Sequence, residues 1–141
     1  MLCLVKPDNF IPKFEVVSCF LEYEGKILLL LRQDCKNEPN TYGVPAWKVE
    51  LNESVDIAVS REIFEETGMK LSDISYFKKV YVKYPTYDFV YYIYHKKLIE
   101  KPRIKIDKKE HKKYIWKNPE EALKENLIQD LDNCIKLFYN V

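Results

Sequence analysis

Glycine is scarce in this chain, with three residues among 141. Neither G-x-x-x-x-G-K-[ST] nor G-x-G-x-x-G occurs, so the glycine-rich phosphate cradles of P-loop and dinucleotide-binding proteins have no counterpart here. H-E-x-x-H and G-x-S-x-G are missing too, which leaves no case for a zincin or an α/β-hydrolase. The four cysteines, Cys3, Cys19, Cys35 and Cys134, form no C-x-x-C pair. They read as ordinary reduced thiols rather than as a zinc site or a disulfide framework, with Cys19 in an apolar stretch that suits a core. No apolar run is long enough to span a bilayer. The opening MLCLVKPDNF has no extended apolar region of the secretory kind, so the expectation is a cytoplasmic protein with no membrane partner. Net charge is +1, which gives no whole-chain argument for nucleic acid.

What is present suits one globular domain over residues 1–141. Apolar residues make up 47% and charged residues 32% of the sequence, and Tyr is frequent at 11. Lys13 to Tyr23 reads as a strand, Glu24-Gly25-Lys26 as a turn, and Ile27 to Leu31 as a strand buried on both faces that ends in Arg32. A polar loop runs from Asp34 to Thr41. Tyr76 to Tyr84 and Asp88 to Lys97 read as two aromatic strands, and His111 to Trp116 as another. The best helix is Ser54 to Thr67, where Val55, Val59 and Ile63 form one stripe and Gly68 stands at the position of a left-handed cap. Asn118-Pro119 opens a second helical region, interrupted, to about Phe138. Strands interleaved with two helices predict an α/β sandwich with helices on both faces of the sheet.

The stretch REIFEETGM, Arg61 to Met69, carries the chemistry. Glu62, Glu65 and Glu66 fall at i, i+3 and i+4 and share an arc of roughly 100° on one helix face. Glu62 and Glu66 repel each other at that spacing, and Glu65 and Glu66 lie where the helix dipole disfavours negative charge. A hard divalent cation held by oxygen ligands would offset the repulsion. A solvated acidic face with neighbouring lysines is the competing reading of the three glutamates alone.

The flanking residues give the stretch a register. It resembles the Nudix box, G-x5-E-x7-R-E-U-x-E-E-x-G-U with U a bulky aliphatic residue: Glu53 takes the first acidic position, and Arg61-Glu62-Ile63, Glu65-Glu66 and Gly68-Met69 fill the rest. Tyr42-Gly43-Val44-Pro45 and Lys48-Val49-Glu50 resemble the approach to the box. The resemblance implies a Nudix-type α/β/α sandwich with a mixed central sheet and two main helices. It implies hydrolysis of a diphosphate linkage in a nucleotide-like small molecule, with Mg2+ as the cofactor and Mn2+ able to substitute. By the same resemblance Glu62, Glu65, Glu66 and the Ala46 carbonyl hold the metal, and Glu65 or Glu66 takes part in catalysis. Arg61 pairs with Glu53 to join loop and helix, and Gly68 closes the helix. The sequence departs from the pattern at Trp47, which stands where the box opens with glycine. Were positive φ required there, a Trp would cost on the order of 1–2 kcal/mol. Its indole could also stand in the approach to the site.

Beyond the box, Glu110 is the candidate for a later-loop general base, with His111 and His95 as weaker alternatives. Arg32 at a strand end could meet substrate phosphates or form a strand-end ion pair. Phe89, Tyr91 and Ile93 alternate with Val90, Tyr92 and Tyr94; one of these tyrosines, Tyr92 in particular, or Tyr81 is a candidate to stack on a base. Core packing is the competing reading for each. The basic run KPRIKIDKKEHKK could contact a polyphosphate or an RNA 5′ end, although a lysine-protected strand edge suits it better. A nucleoside triphosphate leads the candidate substrates. The alternative is a nucleotide-binding or sensing module of the same fold, with catalysis weakened at Trp47. An α/β protein whose acidic helix binds a basic partner stands apart from both and predicts no response to magnesium.

Overall fold

A computed structural model describes all residues, 1–141. Its centre is an eight-stranded mixed sheet. The strands are β1 (Leu2–Cys3), β2 (Pro12–Tyr23), β3 (Lys26–Arg32), β4 (Tyr42–Gly43), β5 (Ala46–Lys48), β6 (Ser75–Lys83), β7 (Asp88–Leu98) and β8 (His111–Lys117). The helices are α1 (Val55–Thr67), α2 (Pro119–Ala122) and α3 (Leu131–Tyr139). The order β1-β6-β7-β2-β3-β4 is antiparallel except at β2–β7, which run parallel from Pro12↔Asp88 to Tyr23↔Leu98. β5 pairs with the first half of β2 and β8 pairs with β3. The open sheet lies between α1 on one face and α3 with α2 on the other, the expected α/β/α sandwich.

Alternation along the central strands builds the two cores. In β3, Ile27 and Leu29 face α2 and α3 while Leu28 and Leu30 face α1. All four are fully buried, as expected for a continuous apolar run. In β2, Phe20 joins the α3 side, and Val17, Cys19 and Leu21 join the α1 side. Full burial of one such side chain contributes about 1.5–3 kcal/mol.

α1 begins where it should. The Ser54 side chain accepts the Ile57 N–H at 3.3 Å, and Asp56 in the first turn complements the dipole. It ends at Gly68, whose φ of +78° is the left-handed cap anticipated for it and whose N–H donates to the Phe64 carbonyl at 2.8 Å. Val59 and Ile63 are buried, and Ile57 and Phe64 are exposed on the outer side.

Three short strands, β1, β4 and β5, were not anticipated. The second helical region is interrupted, as expected, and consists of two helices, α2 and α3. Between them Leu127 bridges to Tyr42, and Asp130 turns left-handed at φ 67° before α3 starts. α3 then buries Leu131, Cys134 and Ile135. No helix is long and apolar enough to cross a membrane.

Candidate functional site

The loop from Val49 to Ser54 and helix α1 are locked together by one guanidinium. Arg61 donates from Nε to Glu53 Oε2 at 2.7 Å and from Nη2 to Glu53 Oε1 at 3.0 Å, a two-pronged contact. Glu53 Oε1 also accepts the Glu50 backbone N–H at 3.0 Å, so the carboxylate fastens the loop as well as the arginine. The same guanidinium contacts Glu62 and, from Nη1, Glu65 Oε2 at 3.1 Å. Charge-assisted bonding from Arg61 holds the Glu53 carboxyl below its usual range.

The three box glutamates have different surroundings. Glu65 is half-exposed. Glu62 and Glu66 are buried, 2% and 5% exposed, an unusual state for adjacent turns of like charge. Burial pushes Glu62 up to about 7, with Arg61 opposing and the charge of Glu65 adding. Glu66 is pushed well above the usual range, first by burial, then by Glu62 and Glu110, while the Ala46 backbone amide and Arg32 oppose. One oxygen of Glu66, Oε2, is buried with no hydrogen-bond partner.

A cleft of about 470 Å³ opens between β5, the Arg32–Glu38 segment and the start of α3. Arg32 and Ala46 line it and also act on Glu66, so the carboxylate lies next to the cleft wall. The opposite wall is aromatic. Phe14 stacks on Phe89 at 5.3 Å between ring centroids, and Tyr84 meets Phe89 edge-on at 5.2 Å. Tyr91 completes that wall. Lys48 Nζ sits 4.3 Å from the Phe14 ring centroid. At the α3 end, the cleft reaches Asp130, whose Oδ2 is a second buried oxygen without a hydrogen bond.

The candidate residues divide accordingly. Glu53, Arg61, Glu62, Glu65, Glu66, Ala46, Arg32 and Glu110 gather around the C-terminal half of α1 and the adjoining cleft wall. Tyr81 and Tyr92 do not line the cleft: Tyr81 packs edge-on against Phe10, and Tyr92 bonds to Glu15. On β7 it is the other parity, Phe89 and Tyr91, that faces the cavity. Arg32 uses its Nε to hold the Asn37 carbonyl at 2.7 Å. His111 is buried opposite Arg32, its Nδ1 without a partner, and burial first and Arg32 second push it down to about 4. His95 lies away from the cleft, 3.3 Å from Glu22. Tyr84, Phe14, Lys36 and Asp130 come to the cleft from four separate segments, and no local spacing signals them.

Trp47 occupies the middle of β5 opposite Val17. It is not among the residues with positive φ, so the backbone strain considered for a Trp at this position does not arise. Its side chain is 41% exposed.

Could the acidic cluster hold a cation? All the donors are oxygens of the kind magnesium prefers. The unpartnered Glu66 oxygen, buried next to a second buried carboxylate, is a ligand atom without a ligand. No three acidic side chains converge closely enough to cage an ion in this arrangement, because Glu62 and Glu65 are turned toward Arg61. The chemistry of the oxygen donors suits a divalent cation, and of the three box glutamates only Glu66 is not bonded to Arg61.

A family model for the NUDIX domain matches residues 12–138. The chain belongs to the Nudix family. As a Nudix hydrolase it acts on phosphoric anhydride bonds of nucleotide-linked substrates, and enzymes of this family generally use divalent metals. No curated protein matches the sequence. Among solved structures, the ORF135 protein of E. coli is 25% identical, with 90% of this chain and 89% of that one aligned at a TM-score of 0.75. The MutT protein of Methanosarcina mazei Go1 is 24% identical over 92% of this chain and 94% of that one, with a TM-score of 0.76. A bifunctional NMN adenylyltransferase/ADP ribose pyrophosphatase of Francisella tularensis, solved with AMP and a manganese ion, is 20% identical over 94% of this Nudix chain and 42% of that one, with a TM-score of 0.74.

Proposed function

We propose that this Nudix hydrolase is a magnesium-dependent nucleoside triphosphate pyrophosphohydrolase whose metal is held by Glu62, Glu65, Glu66 and the Ala46 carbonyl. Manganese would substitute. The observation that carries the reading is the buried, unpartnered oxygen of Glu66 beside buried Glu62, adjoining a cleft with aromatic and basic walls. When bound, the cation neutralises phosphate charge, polarises a P–O bond and acidifies water.

The residues divide the remaining work. The Glu53–Arg61 clamp keeps the loop and helix in one geometry, the support that metal-binding carboxylates need. Arg32, on the cleft wall, binds and orients the polyphosphate. Glu110 accepts a proton from the attacking water as that water's oxygen bonds to phosphorus and the bridging P–O bond breaks. The aromatic wall of Phe14, Phe89, Tyr84 and Tyr91 offers a face for a base, and the cleft is of a size to enclose a single nucleotide. A cleft of about 470 Å³ with an aromatic wall favours a free nucleotide over an RNA 5′ end.

The test is a hydrolysis screen over nucleoside triphosphates, nucleoside-diphosphate sugars, dinucleoside polyphosphates and 5′-triphosphorylated RNA, with and without magnesium. Release of monophosphate and pyrophosphate from a nucleoside triphosphate is expected only with the metal, and Glu65→Gln and Glu66→Gln should be severely impaired. Tight nucleotide binding without turnover of any substrate would instead favour a binding or sensing module.

A further inference from the structure

We propose that Trp47 is a positioning residue: its indole holds the Lys36 ammonium, and Lys36 in turn holds the Glu110 carboxylate beside Glu66. The proposal rests on Glu110 acting as the proton acceptor.

Three observations converge on it. Lys36 Nζ lies 5.6 Å from the centroid of the Trp47 ring, within cation–π range, and the same ammonium is ion-paired to Glu110. The Glu110 carboxylate has no other hydrogen bond or ion pair, so Lys36 is what fixes it. The backbones of the two segments are already tied. Gln33 N–H donates to the Glu110 carbonyl at 3.0 Å, the Gln33 side chain donates to the Lys108 carbonyl at 2.8 Å, and Lys36 N–H donates to Gln33 at 3.2 Å. With both backbones set, the Lys36 stem is the free variable. A lysine loses much rotamer freedom when its four rotatable bonds are fixed, and the ion pair to Glu110 restrains only the tip of the side chain. An aromatic face beneath the ammonium supplies the missing restraint.

The geometry also accounts for a large aromatic residue standing 41% exposed on a short strand. Trp47 pairs with Val17, which belongs to the core facing α1, so the indole leans to the side where Glu66 and Glu110 lie. The residue that departs from the box pattern thereby acts on the carboxylate that lies outside the box.

The comparison of Trp47→Leu with Trp47→Phe decides the matter. Leucine keeps an apolar side chain on β5 and removes the ring; phenylalanine keeps a ring. With ATP and GTP as probes and magnesium present, Trp47→Leu should lower kcat about fivefold, equivalent to roughly 1 kcal/mol, with KM changed by less than about twofold. Trp47→Phe should stay within about twofold of the parent. In a Lys36→Met background, Trp47→Leu should add no further loss. Equal rates for the leucine and phenylalanine variants, or losses that multiply with Lys36→Met, would overturn the proposal.

A second measurement needs no substrate. The Lys36–Glu110 coupling, from a double-mutant cycle of urea unfolding, should fall by at least about half when Trp47→Leu is introduced; unchanged coupling would contradict the relay. If Glu110→Gln turns over at the parental rate, the role given to Glu110 fails by itself. The unfolding cycle still decides whether the indole holds Lys36 to its partner.

Discussion

Helices α1 and α3 cover opposite faces of the same sheet, and they are built on opposite principles. α3 buries Leu131, Cys134 and Ile135, all apolar or thiol side chains, and no carboxylate. α1 packs with Ala58, Val59 and Ile63 but also buries Glu62 and Glu66 on adjacent turns, with one oxygen unpartnered. Burying an unpaired carboxylate opposes folding, and the neighbouring negative charge makes it worse. α1 compensates with a Ser54 cap, a Gly68 cap and the Arg61–Glu53 clamp, whereas the left-handed Asp130 before α3 gives that helix no side-chain cap bond. Strong local ends around an unfavourable interior hold the helix in place, as the proposed cation site requires.

Exchanging one inner-face residue on each helix should separate the two principles. Glu66→Gln is expected to reduce turnover by a factor of roughly 10²–10⁴, the range for loss of a catalytic carboxylate. The metal-free variant should melt no lower than the parent, because a neutral amide replaces a carboxyl whose charged form burial opposes. Ile135→Ala should do the reverse, destabilising by about 2–5 kcal/mol in urea unfolding while the folded fraction keeps its kcat. A Glu66→Gln variant that melts far below the parent would place Glu66 with the structural core instead.

The clamp lies between these extremes. Glu53→Gln loses the charge in a two-pronged contact and should destabilise by about 2 kcal/mol, with a fall in magnesium affinity as the helix and loop lose their common anchor. Calorimetric titration alongside thermal melting would show both; a loss of stability with unaltered affinity would make the clamp merely structural.

The smallest effect is in pH. The Glu62 carboxyl, raised to about 7 from an ordinary value near 4.5, keeps its proton in the folded metal-free protein at pH values where the unfolded chain has lost it. Its contribution to stability is therefore fully present below about 4.5 and is lost as pH rises through about 7. On the proposed ligand assignment magnesium displaces that proton, so its apparent affinity should fall by up to about tenfold per pH unit below 7. The fall should be shallower in Glu62→Gln, and a flat profile in the parent would remove Glu62 from the ligand set.

α1 was legible because three independent signals coincide on it: the cap residues, the 3.6-residue stripe and the register of the carboxylates. The strands β2, β3, β6, β7 and β8 carried alternation or continuous apolar runs long enough to read. β1, β4 and β5 have only two or three residues each, too few for a period of two to register. An interruption between Asn118 and Phe138 was legible but its position was not, because Leu127 and Ile128 continue an apolar pattern while their backbone pairs with Tyr42. In the site, the box residues are adjacent in sequence and could be found together. The parity of β7 could be read, but not which parity faces the cavity, and that depends on how β5 and α3 flank the strand. Tyr92 was a reasonable candidate for that reason, and Tyr91 is the one on the cleft. Lys36 and Asp130 reach the cleft only through tertiary contacts between distant segments.

The most direct measurement is the melting temperature of the metal-free protein against magnesium concentration, for the parent and for Glu66→Gln. The parent should rise steadily with added metal by mass action, about 1.4 kcal/mol for each tenfold excess over the dissociation constant, and Glu66→Gln should respond far less. An unshifted parent at about 10 mM magnesium, or equal shifts in both proteins, would contradict the assignment of a cation to the buried carboxylates.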